Sequence, residues 1–126
     1  MVTWILWALI LAMLAWMGFN YLRIRRAAKI VDNEEFEALI RTGQLIDLRD
    51  PAEFHRKHIL GARNIPSSQL KTSLAALRKD KPVLLYESQR AQRVTNAALY
   101  LKKQGFSEIY ILSYGLDSWK GKVKTS

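Results

Sequence analysis

Pro82-Val83-Leu84-Leu85-Tyr86-Glu87-Ser88-Gln89-Arg90-Ala91-Gln92-Arg93-Val94 joins three kinds of sequence within one short stretch. Val83 to Tyr86 is a continuous apolar run, the pattern of a strand buried on both faces of a parallel sheet. Glu87 to Arg93 is polar, and from Val94 the apolar residues Ala97, Ala98 and Leu101 form an amphipathic stripe that Gly105 ends. The stretch therefore predicts strand, loop and helix in succession. Ligand sites of open parallel sheets lie beyond the carboxyl ends of the strands. The candidate site is thus the loop itself: Glu87, Ser88, Gln89, Arg90, Ala91, Gln92 and Arg93.

Toward the N-terminus the same alternation continues. Leu45-Ile46-Asp47-Leu48 has the length and composition of a strand, and Ala28 to Val31 reads as a shorter one. Between them Asp32 and Glu35 form a capping box ahead of Phe36, Leu39 and Ile40, so a helix is expected to run to about Gly43. Asp50-Pro51-Ala52-Glu53 sets a capping residue, a proline at N1 and a box glutamate in order, which starts a short helix. Gly61 to Pro66 breaks the pattern around a brief strand at Arg63 to Ile65. Ser67 or Ser68 is then expected to cap a helix with Leu70, Leu74 and Leu77 on one side. Toward the C-terminus, Ile109 to Leu112 reads as a further strand and Leu116 to Lys120 as a last short helix. Strands separated by helices imply right-handed crossovers and an α/β domain whose mostly parallel central sheet is flanked by helices.

The chain begins differently. From Val2 to Phe19 there are 18 consecutive uncharged residues, with Thr3 the only polar one. At 1.5 Å per residue that run is about 27 Å long, close to the roughly 30 Å hydrocarbon core of a bilayer. Trp4 and Trp7 at one end, with Trp16, Phe19 and Tyr21 at the other, suit the two lipid–water interfaces. A cleaved signal peptide would need a basic start, a shorter apolar core and a small-x-small site, and none of these is present. The basic residues Arg23, Arg25, Arg26 and Lys29 follow the span, so the expected topology is a single pass with the N-terminus outside and the rest in the cytoplasm. The organisation read from sequence is a membrane helix over 1–22, a basic juxtamembrane linker over 23–29, an α/β domain over 30–120 and a flexible basic tail over 121–126.

Charge divides accordingly. Four of the 20 Lys and Arg residues follow the span, leaving 16 against all 11 acids over residues 30–126 and a domain charge of +5. That excess lacks the basic stripe interleaved with aromatics expected of a nucleic-acid groove, so nucleic acid is not an expected partner. Anionic lipid headgroups account for it more simply.

The domain resembles the rhodanese-like family. Leu45-Ile46-Asp47-Leu48-Arg49 is similar to the family's strand motif, and Glu53-Phe54 with His58-Ile59-Leu60-Gly61-Ala62-Arg63-Asn64-Ile65-Pro66 is similar to its "GHIPGAxNIP" stretch. Gly105-Phe106, Tyr110-Ile111-Leu112 and Gly115-Leu116-Asp117-Ser118-Trp119 resemble its closing segment. The resemblance implies the rhodanese-like three-layer fold, and it singles out Asp47, Arg49, His58, Gly61 and Trp119 as motif positions. It implies sulfur transfer by a cysteine that opens the loop after the buried strand. This chain contains no cysteine. Counting forward from Pro82 puts Glu87 at the cysteine position, whereas counting back from Gly105 puts Ser88 there and aligns Arg93 with the family's arginine.

A persulfide needs a thiolate, whose ordinary pKa of about 8.5 can be lowered by surrounding amides. A serine hydroxyl stays protonated near neutrality and a carboxylate holds no sulfane sulfur. The reading is therefore a membrane-anchored, non-catalytic rhodanese-like domain, used as a cytoplasmic binding or scaffolding module for a protein partner, with membrane lipid as its other neighbour and no cofactor or metal. The alternatives are recognition of a phosphate-like anion by Arg90 and Arg93 at a helix start, or residual enzymatic chemistry on Ser88. Asp47 and Arg49 are expected to form an ion pair or backbone contacts. Trp119 and Tyr114 are expected in packing or at a partner surface.

Overall fold

The computed structural model describes residues 2–89 and 92–125. Its elements are α1 (Val2–Ala27), β1 (Lys29–Val31), α2 (Asn33–Ile40), β2 (Gln44–Asp47), α3 (Pro51–Arg56), β3 (Lys57–Ile59), β4 (Arg63–Asn64), β5 (Val83–Tyr86), α4 (Gln92–Lys103), β6 (Ile109–Leu112) and β7 (Val123–Thr125). Two 3-10 segments, Ser67–Gln69 and Lys71–Ala76, lie between β4 and β5, and a third, Leu116–Ser118, follows β6.

Five strands form one sheet in the order β1-β6-β5-β2-β4, and every pairing is parallel. β5 is central, with Leu84 opposite Leu45 on one side and Tyr110 on the other. All four of its residues are fully buried, as its unbroken apolar sequence requires. The two-residue period of a strand splits them between two cores. Val83 and Leu85 pack with Val94, Ala97, Ala98 and Leu101 of α4, while Leu84 and Tyr86 pack with Phe36 of α2 and Leu116. The result is helix, sheet and helix in three layers. Because all five strands run one way, the sheet has a leading end, where strands begin, and a trailing end, where they finish. α1 joins the leading end through Ala28 and lies against α4, and Glu87 opens at the trailing end.

α1 is the one described helix long and apolar enough to cross a membrane, over Val2–Leu22 with mean hydropathy 2.0 and its side chains exposed. Those residues span about 32 Å. The helix continues to Ala27, so most of the stretch read as a basic linker is helical.

Several local expectations change. At α2 only half of the capping box forms: Asp32 Oδ1 accepts the Glu35 N–H at 2.9 Å, while the Glu35 carboxylate lies 3.9 Å from Lys29 Nζ. α3 starts at Pro51 as its sequence demands, yet Asp50 makes no side-chain cap. The helix expected after Ser67 or Ser68 is replaced by the two 3-10 segments, closed by bonds such as Leu77 N–H to the Leu74 carbonyl, with Pro66 rather than a serine at the first cap. Its leucines still serve the core, since Leu70 and Leu77 are buried and Leu74 packs against them. The last helix shortens to Leu116–Ser118. The tail expected to be flexible carries β7, which pairs antiparallel with β3, Ile59 opposite Val123.

Candidate functional site

Underneath the loop, the trailing ends of β2, β4 and β5 are tied together by polar groups that the fold brings together from separate parts of the chain. Asp47, fully buried at the end of β2, accepts from Arg49 Nε at 3.1 and 3.2 Å and from Arg49 Nη2 at 2.9 Å, with the Arg49 backbone N–H also on Oδ1 at 2.9 Å. Arg49 donates as well to the Lys57 carbonyl, which fixes the start of β3. Asn64 Nδ2 donates to the Asp47 and Arg49 carbonyls at 3.2 and 2.9 Å, and the Tyr86 hydroxyl accepts the Ile59 N–H at 3.1 Å. Burial pushes the Tyr86 phenol far above its ordinary range, and the nearby Asp47 carboxylate adds to this. Asp47 and Arg49 thus form the ion pair expected of them, and it is a positioning device under the loop.

Glu87 leaves β5 and turns inward, 5% exposed. Its Oε2 accepts the Val94 N–H at 2.9 Å, and its Oε1 lies 3.7 Å from Arg93 Nε. Val94 is the third residue of α4, so this is one of the N–H groups a helix start leaves without an internal partner. A carboxylate also suits the positive end of the helix dipole. The chain's own side chain therefore occupies the place an anion would take at this helix. Burial raises the Glu87 carboxyl above its ordinary value, while the Val94 N–H and Arg93 pull partly back.

The loop backbone is clamped from the other side. The Glu87 and Ser88 carbonyls accept N–H groups from Leu116 and Asp117 at 2.8 and 2.9 Å. Between the two segments sits Gly115 with φ +73°, and a Cβ there would lie 2.5 Å from the Ser88 carbonyl oxygen and 2.6 Å from that of Glu87. Only glycine tolerates both the conformation and the approach. Ser88 Oγ donates to Glu53 Oε2 at 3.5 Å, and Gln89 Nε2 donates to Asp117 Oδ2 at 3.4 Å.

The structure brings together Glu87, Ser88, Gln89 and Arg93, with Arg93 half-exposed at the rim. Arg90 and Ala91 lie outside the described residues, and Gln92 begins α4. The other motif positions make packing, hydrogen-bond and turn contacts. His58 Nδ1 is 2.8 Å from the Phe54 carbonyl, and its ring stacks on Phe54 at 3.8 Å. Gly61 makes the turn from β3 to β4 at φ +90°. Trp119 meets Phe36 edge-on at 5.8 Å and donates Nε1–H to the Lys122 carbonyl. Tyr114 is 71% exposed beside a shallow cleft of about 320 Å³ lined with Gln89, Ser113, Asp117 and Ser118. Sequence reasoning missed Glu53 as a neighbour of the loop, because its spacing from Asp50 reads as a cap and a contact 35 residues away leaves no local signal.

Comparison with known proteins bears on the fold and the family. The chain is 48% identical over 113 residues to the uncharacterized protein YqhL of Bacillus subtilis, covering 90% of this chain and 89% of that one. It is 36% identical over 95 residues to the thiosulfate sulfurtransferase GlpE of Stutzerimonas stutzeri, covering 73% and 84%. Among solved structures, the full-length protein from Lactobacillus plantarum superposes with a TM-score of 0.71 at 23% identity, covering 91% of this chain and 98% of that one. A rhodanese-related protein from Thermoplasma volcanium gives 0.70 at 23% identity, covering 78% and 99%. The sequence model of the rhodanese-like domain matches residues 32–122. With the motif order, the parallel sheet and this match in agreement, the chain belongs to the rhodanese-like domain family.

Proposed function

We propose that the chain is a rhodanese-like domain held on the cytoplasmic face of a membrane by α1, that it transfers no sulfur, and that it serves as a binding or scaffolding module. The observation that carries this reading is the Glu87 carboxylate, buried between β5 and α4 and bonded to the Val94 N–H. A sulfurtransferase of this fold needs a thiolate at the opening of that loop, and a carboxylate in a chain without cysteine offers no sulfur nucleophile. The exposed Tyr114 and the cleft beside it supply a surface for a protein partner, since aromatic residues contribute strongly to interfaces. The full-length chain in detergent micelles, given thiosulfate and cyanide, is expected to form no thiocyanate above the buffer rate. Sustained turnover would overturn the reading.

One observation favours recognition of a phosphate-like anion as a second reading. A cleft of about 420 Å³ beside the loop is bordered by Lys71, Arg93, Ser67 and Ser68. Lys71 already lies over the Tyr100 ring and Arg93 beside Glu87, which weakens both as anion partners. Inorganic phosphate titrated into the wild type and Arg93→Ala separates the readings: saturable heat lost in the variant would favour the anion site.

A further inference from the structure

The charges of the domain are sorted along its sheet. At the leading end, where α1 joins, stand the exposed residues Arg41 at the close of α2, Lys79 and Lys81 ahead of β5, and Lys102 and Lys103 in the last turn of α4. Among the described residues, the acids at this end are Asp80, which pairs with Arg78 at 2.6 Å, Glu108, and Glu37 in the last turn of α2. Lys29 also starts here, and its 3.9 Å contact with Glu35 joins two side chains that are each more than half exposed. The trailing end is mixed: Asp32, Asp50, Glu53, Glu87, Asp117 and the first-turn acids of α2 stand there with Arg49, Arg56, Lys57 and Arg93. The modest net charge of the domain is thus concentrated at its leading end.

The connection between α1 and the sheet gives this sorting a direction. From Leu22, the last residue of the apolar span, to Ala28 the chain advances six helical residues or fewer, about 9 Å. That is within about one Debye length at physiological ionic strength, so the basic end sits inside the electrostatic reach of a lipid surface. We propose that the leading end of the sheet binds the headgroups of anionic phospholipids, which turns the trailing end and the Glu87 loop away from the bilayer. This rests on α1 spanning the membrane.

Because the chain lacks cysteine, a single introduced thiol can be labelled without background. Ser107→Cys marks the leading end and Tyr114→Cys the trailing end, both at exposed positions. Each full-length variant carries a donor dye in nanodiscs of phosphatidylcholine alone, or of phosphatidylcholine with about one quarter phosphatidylglycerol, with an acceptor on the headgroups. Energy transfer from position 107 is expected to rise at least about twofold in the anionic discs. It should fall back in about 0.5 M salt and in the Lys79→Gln/Lys81→Gln/Lys102→Gln/Lys103→Gln background, while position 114 stays low throughout. The salt arm uses the unaltered charges and so decides the matter even if the fourfold variant folds poorly. Equal transfer from position 107 in both discs, or approach of position 114 instead, overturns the proposal. A short DNA duplex that displaces the domain from anionic discs assigns this end to nucleic acid and overturns it as well. Alkaline carbonate washing of cell membranes tests the anchor separately: release of the chain defeats both ideas, whereas retention with equal transfer defeats only the headgroup surface.

Discussion

Glu87 couples the loop to pH. In the unfolded chain its carboxyl ionises near the ordinary value of 4.5, and burial in the folded chain raises that value. Between the two, the folded state holds a proton the unfolded state has released, so this contribution to stability is complete below about pH 4.5 and is lost as pH rises through the folded value. Thermal melts of the wild type and Glu87→Gln across that window are expected to diverge, with the wild type losing relative stability toward neutral pH. Parallel curves would show that Glu87 titrates normally. Asp47 is paired with the buried Arg49 guanidinium at 2.9 Å. Asp47→Ala leaves the buried Arg49 guanidinium without its carboxylate, and breaking a buried pair costs about 3–5 kcal/mol. Urea unfolding checks this, and a loss below about 1 kcal/mol would mean that Arg49 finds another partner.

The elements differ in how much of themselves they write into the sequence. β5, β6, α2 and α4 declare their type through an apolar run or a helical stripe, and each lies within three residues of its expected place. The pairing of β3 with β7 is invisible locally, because Lys57-His58-Ile59 and Val123-Lys124-Thr125 are three residues each and acquire a strand's backbone bonds only from one another. The segment after Pro66 misleads for a related reason: leucines at 70, 74 and 77 mark a buried side without fixing whether i+3 or i+4 bonds close the turns. The loop was legible as a place, from its position between strand and helix, but its inward carboxylate was not, since nothing in Glu87-Ser88-Gln89 announces where the side chain points. The clamp at Gly115 is likewise a contact between elements. Gly115→Ala forces a left-handed residue and a Cβ into the Glu87 and Ser88 carbonyls, at an expected cost of about 1–3 kcal/mol for the backbone alone. A melt unchanged from the wild type would show that the loop can yield without penalty.

For the whole molecule, the anchor and the domain make separate demands on experiment. A reporter fused after Ser126 is expected to work only inside the cell, as the basic residues after the span imply. Activity confined to the outside would invert the topology and remove the domain from the cytoplasm. The chain passes from the last turn of α1 to the first residue of β1 through one buried residue, Ala28, and α1 also lies against α4. A flexible tether would absorb any change in the attitude of the helix. Where α1 spans a bilayer as proposed, a thickness that makes the helix lean passes that lean to the sheet, and the domain moves as the arm of a lever whose pivot lies in the lipid.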